Sequence, residues 1–316
     1  MKYDLCQKLK LAPTEFLVLV ISLAAILVNA ALILSKDAQI DWLGYAGICA
    51  SVGVPILIGL YYRHSGRSER IASTLICTGG FILFSACLSL FNYLLLPLRN
   101  PVIDVPIAEI DAWFGYHWPA VMEFAASHPI PTFILKLAYM TTIPQITLLV
   151  VILGLSGRIR DLHVMITIVI FTATLTICFW GLFPTLGAKS MYVLPQEIWA
   201  AVNPVVNEAY TKYLLDIAVN GPGIITPNEI RGLIAFPSYH AVLAFIAMYA
   251  GRNLPYLRWV FFILNLLILP ATFIHGGHHM IDFLGGFAMF ALGVIVARSA
   301  VKRDYEHLNL PAIASA

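Results

Sequence analysis

Charge is what this chain has least of. Only 11% of its 316 residues are Asp, Glu, Lys or Arg, and the formal net charge is +2. A soluble domain carries about 25% charged residues, so this composition excludes a soluble fold. The small net charge also leaves no concentrated basic face of the kind a nucleic acid needs. Cysteine is sparse too. Cys49, Cys77, Cys87 and Cys178 fall in apolar runs, and Cys6 lies in the basic N-terminal tail. None lies in an expected outer loop, so no disulfide is expected. Internal repeats and low-complexity tracts are missing. The first apolar run, Phe16 to Leu34, is long enough to span a bilayer and has no small-residue cleavage site after it. A cleaved signal peptide is therefore not expected.

Apolar length is what the chain has in quantity: 60% of it is hydrophobic and the mean hydropathy is +0.84. A membrane helix needs roughly 20 apolar residues. That rule predicts an all-α integral membrane protein with about eight spans: 15–35, 42–62, 71–97, 131–155, 163–183, 238–251, 256–274 and 280–299. The sixth is short for a hydrocarbon core of about 30 Å. Either it begins nearer Gly232, or His240 sits below the outer membrane surface.

Thirteen of the 19 lysines and arginines fall in alternate segments on one side, and five fall on the other. Positive charge stays inside, so both termini are expected in the cytoplasm. The expected location is a bacterial inner membrane, with the site on the periplasmic side; in a eukaryote that side is lumenal. The outer segments 98–130 and 184–237 are long, and loops of this length usually carry function or short structure of their own. Ile107 to Gly115 and Asn207 to Val219 suit interfacial helices. Trp42, Trp118, Trp180 and Trp259 read as interfacial anchors.

The chemistry concentrates at outer span ends. His278 and Asp282 are four residues apart at the start of the last span, a spacing that shares one helix face. The carboxylate then fixes the histidine tautomer and stabilises the cation that forms. The ordinary alternative is an ion pair anchoring a span. His240 follows Pro237 and Ser238, which suit a helix start with Ser238 as N-cap. The sixth and eighth spans both begin on the outer side, and helix N-termini bind phosphate. Two histidines and an aspartate beside lipid point to phosphoryl transfer through a phosphohistidine. After the fifth span comes Trp180-Gly181-Leu182-Phe183-Pro184-Thr185-Leu186-Gly187-Ala188-Lys189. Lys189 either holds a phosphate oxygen or snorkels. Arg231 either binds phosphate or pairs with Glu229. Lys136, inside the fourth span, either contributes to the site or snorkels outward.

These motifs resemble the type 2 phosphatidate phosphatase superfamily. Its second signature, Pro-Ser-Gly-His, reads Pro237-Ser238-Tyr239-His240 here. Its third, His-x-x-x-Asp-x-x-x-Gly, runs from His278 through Asp282 to Gly286. The Phe-Pro-Thr element, the Phe-Pro-Ser-x-His spelling and the Gly-Gly-His start are closer to the inositol phosphorylceramide synthase branch of inositolphosphotransferases. The resemblance covers roughly residues 71–299, a six-span catalytic core. Residues 1–70 form a two-span extension, and 300–316 a cytoplasmic tail. The resemblance implies that His278 attacks phosphorus, that Asp282 orients it, and that His240 serves the leaving and accepting oxygens. Lys189, Ser238, Tyr239, Arg231 and Lys136 are the candidate substrate contacts. No metal or cofactor is implied; a phospholipid or lipid phosphate and the bilayer are the expected partners. The family's first motif, Lys-(x)6-Arg-Pro, is absent, and Thr272 stands where the third motif carries arginine. Loss of those cations favours a phosphodiester and transfer to an alcohol over hydrolysis of a phosphomonoester. Three other readings stay open: a lipid phosphatase acting on phosphatidate or a polyprenyl diphosphate, a zinc hydrolase built on His275, His278, His279 and Asp282, and a non-catalytic lipid-binding or transport protein.

Overall fold

A computed structural model describes residues 2–307. Residues 308–316, the end of the expected tail, lie outside the described residues. The described chain is all-helical. Its elements are α1 (Lys2–Leu9), α2 (Pro13–Lys36), α3 (Trp42–His64), α4 (Glu69–Leu94), α5 (Asp104–Trp113), α6 (Trp118–Ser127), α7 (Pro129–Met140), α8 (Thr142–Leu155), α9 (Ile159–Leu182), α10 (Gln196–Val202), α11 (Glu208–Asn220), α12 (Tyr239–Gly251), α13 (Leu257–His275) and α14 (Met280–His307).

Six of these, α2, α3, α4, α9, α13 and α14, are long and apolar enough to cross a membrane. Each of the eight stretches expected as spans is helical, but two differ from a single straight crossing. The fourth is broken into α7 and α8, bent by 47°. Pro144 explains the break: it has no N–H to give the carbonyl of Met140, four residues back. It sits instead in the first turn of α8, where a proline is tolerated. The sixth, α12, does begin at Tyr239. Ser238 caps it by accepting from Ala241 N, so a start nearer Gly232 is excluded.

α9 is the axis of the bundle, with 67% of its apolar window buried, against 17% for α2 and 11% for α3. α14, α12, α4 and α8 pack around α9, while α2 and α3 lie against α4. Leu23, Leu27 and Leu43 on α2 and α3 remain bare, as faces turned to lipid do. Trp42 and Trp259 are exposed, as anchors are, whereas Trp118 and Trp180 are fully buried. The correction has a simple cause. Trp118 Nε1 donates to the Phe273 carbonyl and Trp180 Nε1 to the Thr185 carbonyl, each at 2.9 Å. With its N–H satisfied, the indole belongs in a core.

The two ends of the bundle each hold buried polar groups. At one, Arg63 binds both Glu15 and Glu69, and the His163 ring meets the Tyr305 hydroxyl at 3.0 Å. The long connections gather at the other end. There Lys36 closes α4 by donating to the carbonyls of Leu94 and Leu96, a cation at a helix C-terminus. A parallel bridge between Ile40 and Ile225 ties the α2–α3 turn to the segment after α11.

Candidate active site

The site forms where α13 ends and α12 and α14 begin. His278 is not itself helical. It stands in the turn between α13 and α14, two residues ahead of the first helical residue. Its pairing with Asp282 therefore runs across a helix start rather than along one helix face. His278 Nδ1 lies 3.1 Å from Asp282 Oδ2, and the same oxygen accepts the His279 N–H at 2.8 Å. Asp282 thus holds the ring and the turn that carries it. The tautomer that donates from Nδ1 leaves a lone pair on Nε2, which meets Ser238 Oγ at 3.3 Å. Ser238 N donates to the Asp282 carbonyl at 2.9 Å, so the starts of α12 and α14 are joined directly. Gly286 permits that closeness: a Cβ there would stand 2.7 Å from the Ser238 carbonyl oxygen.

His240 lies in the first turn of α12, its ring centroid 6.5 Å from that of His278. Tyr139, next to the α7–α8 break, stacks on the His240 ring at 4.5 Å and 15°. Lys189 reaches the same turn from the loop after α9. It is buried, and Nζ donates to the Gly276 carbonyl at 3.3 Å. Gly187 (φ +89°) makes room for it, since a Cβ there would meet the Gly277 carbonyl at 2.8 Å and Lys189 Nζ at 3.0 Å. Burial pushes Lys189 down to about 8, against the pull of Asp282 and Asp104. Burial, with Lys189 and His279 nearby, holds His278 down at about 3. The ring is therefore neutral near pH 7, the form in which a histidine nitrogen is nucleophilic.

The structure does not bring every expected contact here. Tyr239 turns away and donates to the Val169 carbonyl on α9. Arg231 lies over the rings of Tyr210 and Tyr213. Lys136 is spent on the Asn203 carbonyl at 2.7 Å. The histidines of the zinc reading also face apart. His275 Nε2 meets the Thr132 carbonyl and His279 Nδ1 meets Asp111, at 2.9 and 3.0 Å.

Two carboxylates from the 98–130 segment were not anticipated. Asp104 and Asp111 share the buried face of α5 with Ile107. Asp111 accepts the N–H groups of Met280 and Ile281 and faces His279, all at 3.0 Å. It caps α14 from outside the helix. Asp104 accepts from Leu186 N and Gly187 N at 2.7 Å and stands 3.7 Å from His279 Nε2. Burial raises the Asp104 carboxyl, and those two N–H groups oppose the rise. His279 thus bridges two carboxylates. One shapes the Lys189 loop and the other starts the helix that carries Asp282. The 104, 107, 111 spacing on one helical face was the available signal.

Apolar helices in this number define a multi-pass membrane protein, and two joined helix starts bring His240, His278 and Asp282 together at one end of it. A comparison with protein families narrows this. The model described as the PAP2 superfamily matches residues 105–296, more than half of the chain. The chain belongs to that superfamily, which places it among lipid phosphatases and phosphotransferases in general. No curated protein and no solved structure matches it.

Proposed function

We propose that the chain is a lipid phosphotransferase that moves a phospho-headgroup from one lipid to an alcohol through a phosphohistidine on His278. The observation that carries the reading is the pairing of His278 Nδ1 with Asp282 while Nε2 faces the start of α12. In the first step Nε2 attacks phosphorus and the bond to the leaving lipid oxygen breaks. His240 gives that oxygen its proton. In the second step His240 takes the proton of the acceptor hydroxyl, the acceptor oxygen attacks phosphorus, and the P–N bond breaks. Asp282 stabilises the imidazolium formed between the steps. Lys189 holds the phosphate oxygens, aided by the positive end of the α12 dipole.

Cation supply favours a phosphodiester donor over a phosphomonoester. Among the expected cations only Lys189 reaches the His278 turn; Arg231 and Lys136 have other partners. Thr272 is buried and bonded to the Leu269 carbonyl, so it adds no charge. The apolar cleft lined by Phe179, Phe236, Met289 and Leu292 suits an acyl chain beside the reacting headgroup. The inositol phosphorylceramide synthase-like branch is the closest chemical description. The site would face the periplasmic or lumenal leaflet, with both termini cytoplasmic and residues 1–70 added to a six-span core.

Purified protein in detergent, offered a panel of phospholipids with and without an alcohol acceptor, tests this. The expected result is headgroup moving to the acceptor, with none moved by His278→Ala or His240→Ala. Free phosphate released from a phosphomonoester instead would support the lipid phosphatase reading. Turnover that survives in His278→Ala would sink both.

A further inference from the structure

At the bundle end far from His278, three side chains from three helices meet in a dry place. Glu15 comes from α2, Cys77 from α4 and His163 from α9. One ligand atom of each lies within 4.8 Å of the other two. All three are buried, none more than 2% exposed. Donor atoms around a tetrahedral zinc stand roughly 3.5 Å apart, so closing the group takes a side-chain adjustment of about an ångström.

The hydrogen bonding leaves one donor on each residue. His163 Nδ1 is held by the Tyr305 hydroxyl at 3.0 Å, and Nε2 is buried with no partner. A metal-binding histidine is commonly held through one nitrogen while the other ligates. Glu15 accepts from Ala12 N and twice from Arg63. A carboxylate has about four lone-pair directions, so one remains. Cys77 is buried in no disulfide. Of the two carboxylates on Arg63, only Glu15 is buried; the Glu69 side chain is 61% exposed.

We propose that Glu15, Cys77 and His163 form a binding site for a borderline-soft divalent transition metal of the zinc class. Bound there, the ion clamps α2 to α4 and α9 and so fastens the first membrane helix to the bundle. The alternative is a dry polar spot that merely extends the Arg63 network.

The full chain, carrying a histidine-free tag, is purified in detergent without added metal and its metal content measured. About one zinc per chain is expected. Cys77→Ser and His163→Gln should each lower zinc affinity by at least about tenfold, while His278→Ala keeps its metal. Because a variant can fail to fold, chelator-stripped wild type is also titrated with cobalt(II). A thiolate-to-cobalt absorption band should appear, and the melting temperature should recover as it grows. A wild type that is metal-free as purified and gives no cobalt band overturns the proposal. So does undiminished zinc affinity in Cys77→Ser and His163→Gln.

Discussion

The bundle buries ionisable groups at both ends, but it treats them in opposite ways. At the Arg63 end, Glu15 and Glu69 close on one guanidinium and Ser73 completes the set. Charge meets charge, and the network has no reason to admit anything large. At the His278 end, Asp282 Oδ1 accepts no hydrogen bond, His279 Nε2 stands 3.7 Å from Asp104 without a hydrogen bond, and the Lys189 cation donates to the Gly276 carbonyl. Unsatisfied polarity in a dry place costs folding free energy. A chain keeps such an arrangement where a ligand completes it. One end thus ties helices together, and the other is the end at which we propose an anionic group binds. Among the described residues at the first end, the bare His163 Nε2 stands apart, and with Glu15 and Cys77 it forms the group proposed to hold a metal.

The sharpest test of this contrast removes one residue from each end. His278→Ala should lower turnover on the order of 10⁴-fold or more and leave the melting temperature nearly unchanged. Comparable loss of stability and activity would erase the distinction. Arg63→Ala should do the reverse. It leaves Glu15 buried without a counter-charge, which costs about 3–5 kcal/mol, read by denaturation in detergent. Turnover per folded molecule should stay as it was.

Acid–base behaviour offers the next handle. Lys189 carries its proton below about 8 and loses it above. If it holds an anionic group, kcat/KM falls as pH rises through about 8, by up to about tenfold per unit. Lys189→Met should abolish that limb and lower kcat/KM by roughly 10²-fold at neutral pH. A flat profile in the wild type would remove Lys189 from the binding role. The smallest effect belongs to Asp111→Asn, which keeps one acceptor oxygen but loses the charge facing His279. Turnover should fall by roughly tenfold through a loosened α14 start. An unaltered rate would mean that α5 supports the fold alone.

What could be read in advance follows physical range. Apolar length and the spacing of His278, Asp282 and Gly286 are local, and the eight helical stretches and the joined helix starts agree with them. The kink at Pro144 was not read, and 131–155 was expected as one span, although its cause is local: a proline strips a hydrogen bond four residues back. Asp104 and Asp111 were not legible as site groups, because their partners lie in segments more than 80 and 160 residues away. Trp118 and Trp180 were misplaced for a related reason. An indole near a span end suits the interface equally well until a carbonyl is found for its N–H, and those carbonyls belong to tertiary structure. Tyr239, inside the motif, faces α9, while Tyr139, a hundred residues earlier, stacks on His240. Adjacency in the chain proved a poor guide to which tyrosine shares the pocket.

Gly286 carries a consequence for how such signatures are read. It binds nothing and reacts with nothing; it is a caliper. With the Ser238 carbonyl 2.7 Å from where a methyl group would sit, any larger side chain wedges α12 from α14 and moves His240 away from His278. A pattern ending in this glycine therefore records a tolerance on helix separation as well as a set of reactive groups. A chain with both histidines and the aspartate but a bulky residue here would keep the chemistry and lose the gap that makes it work.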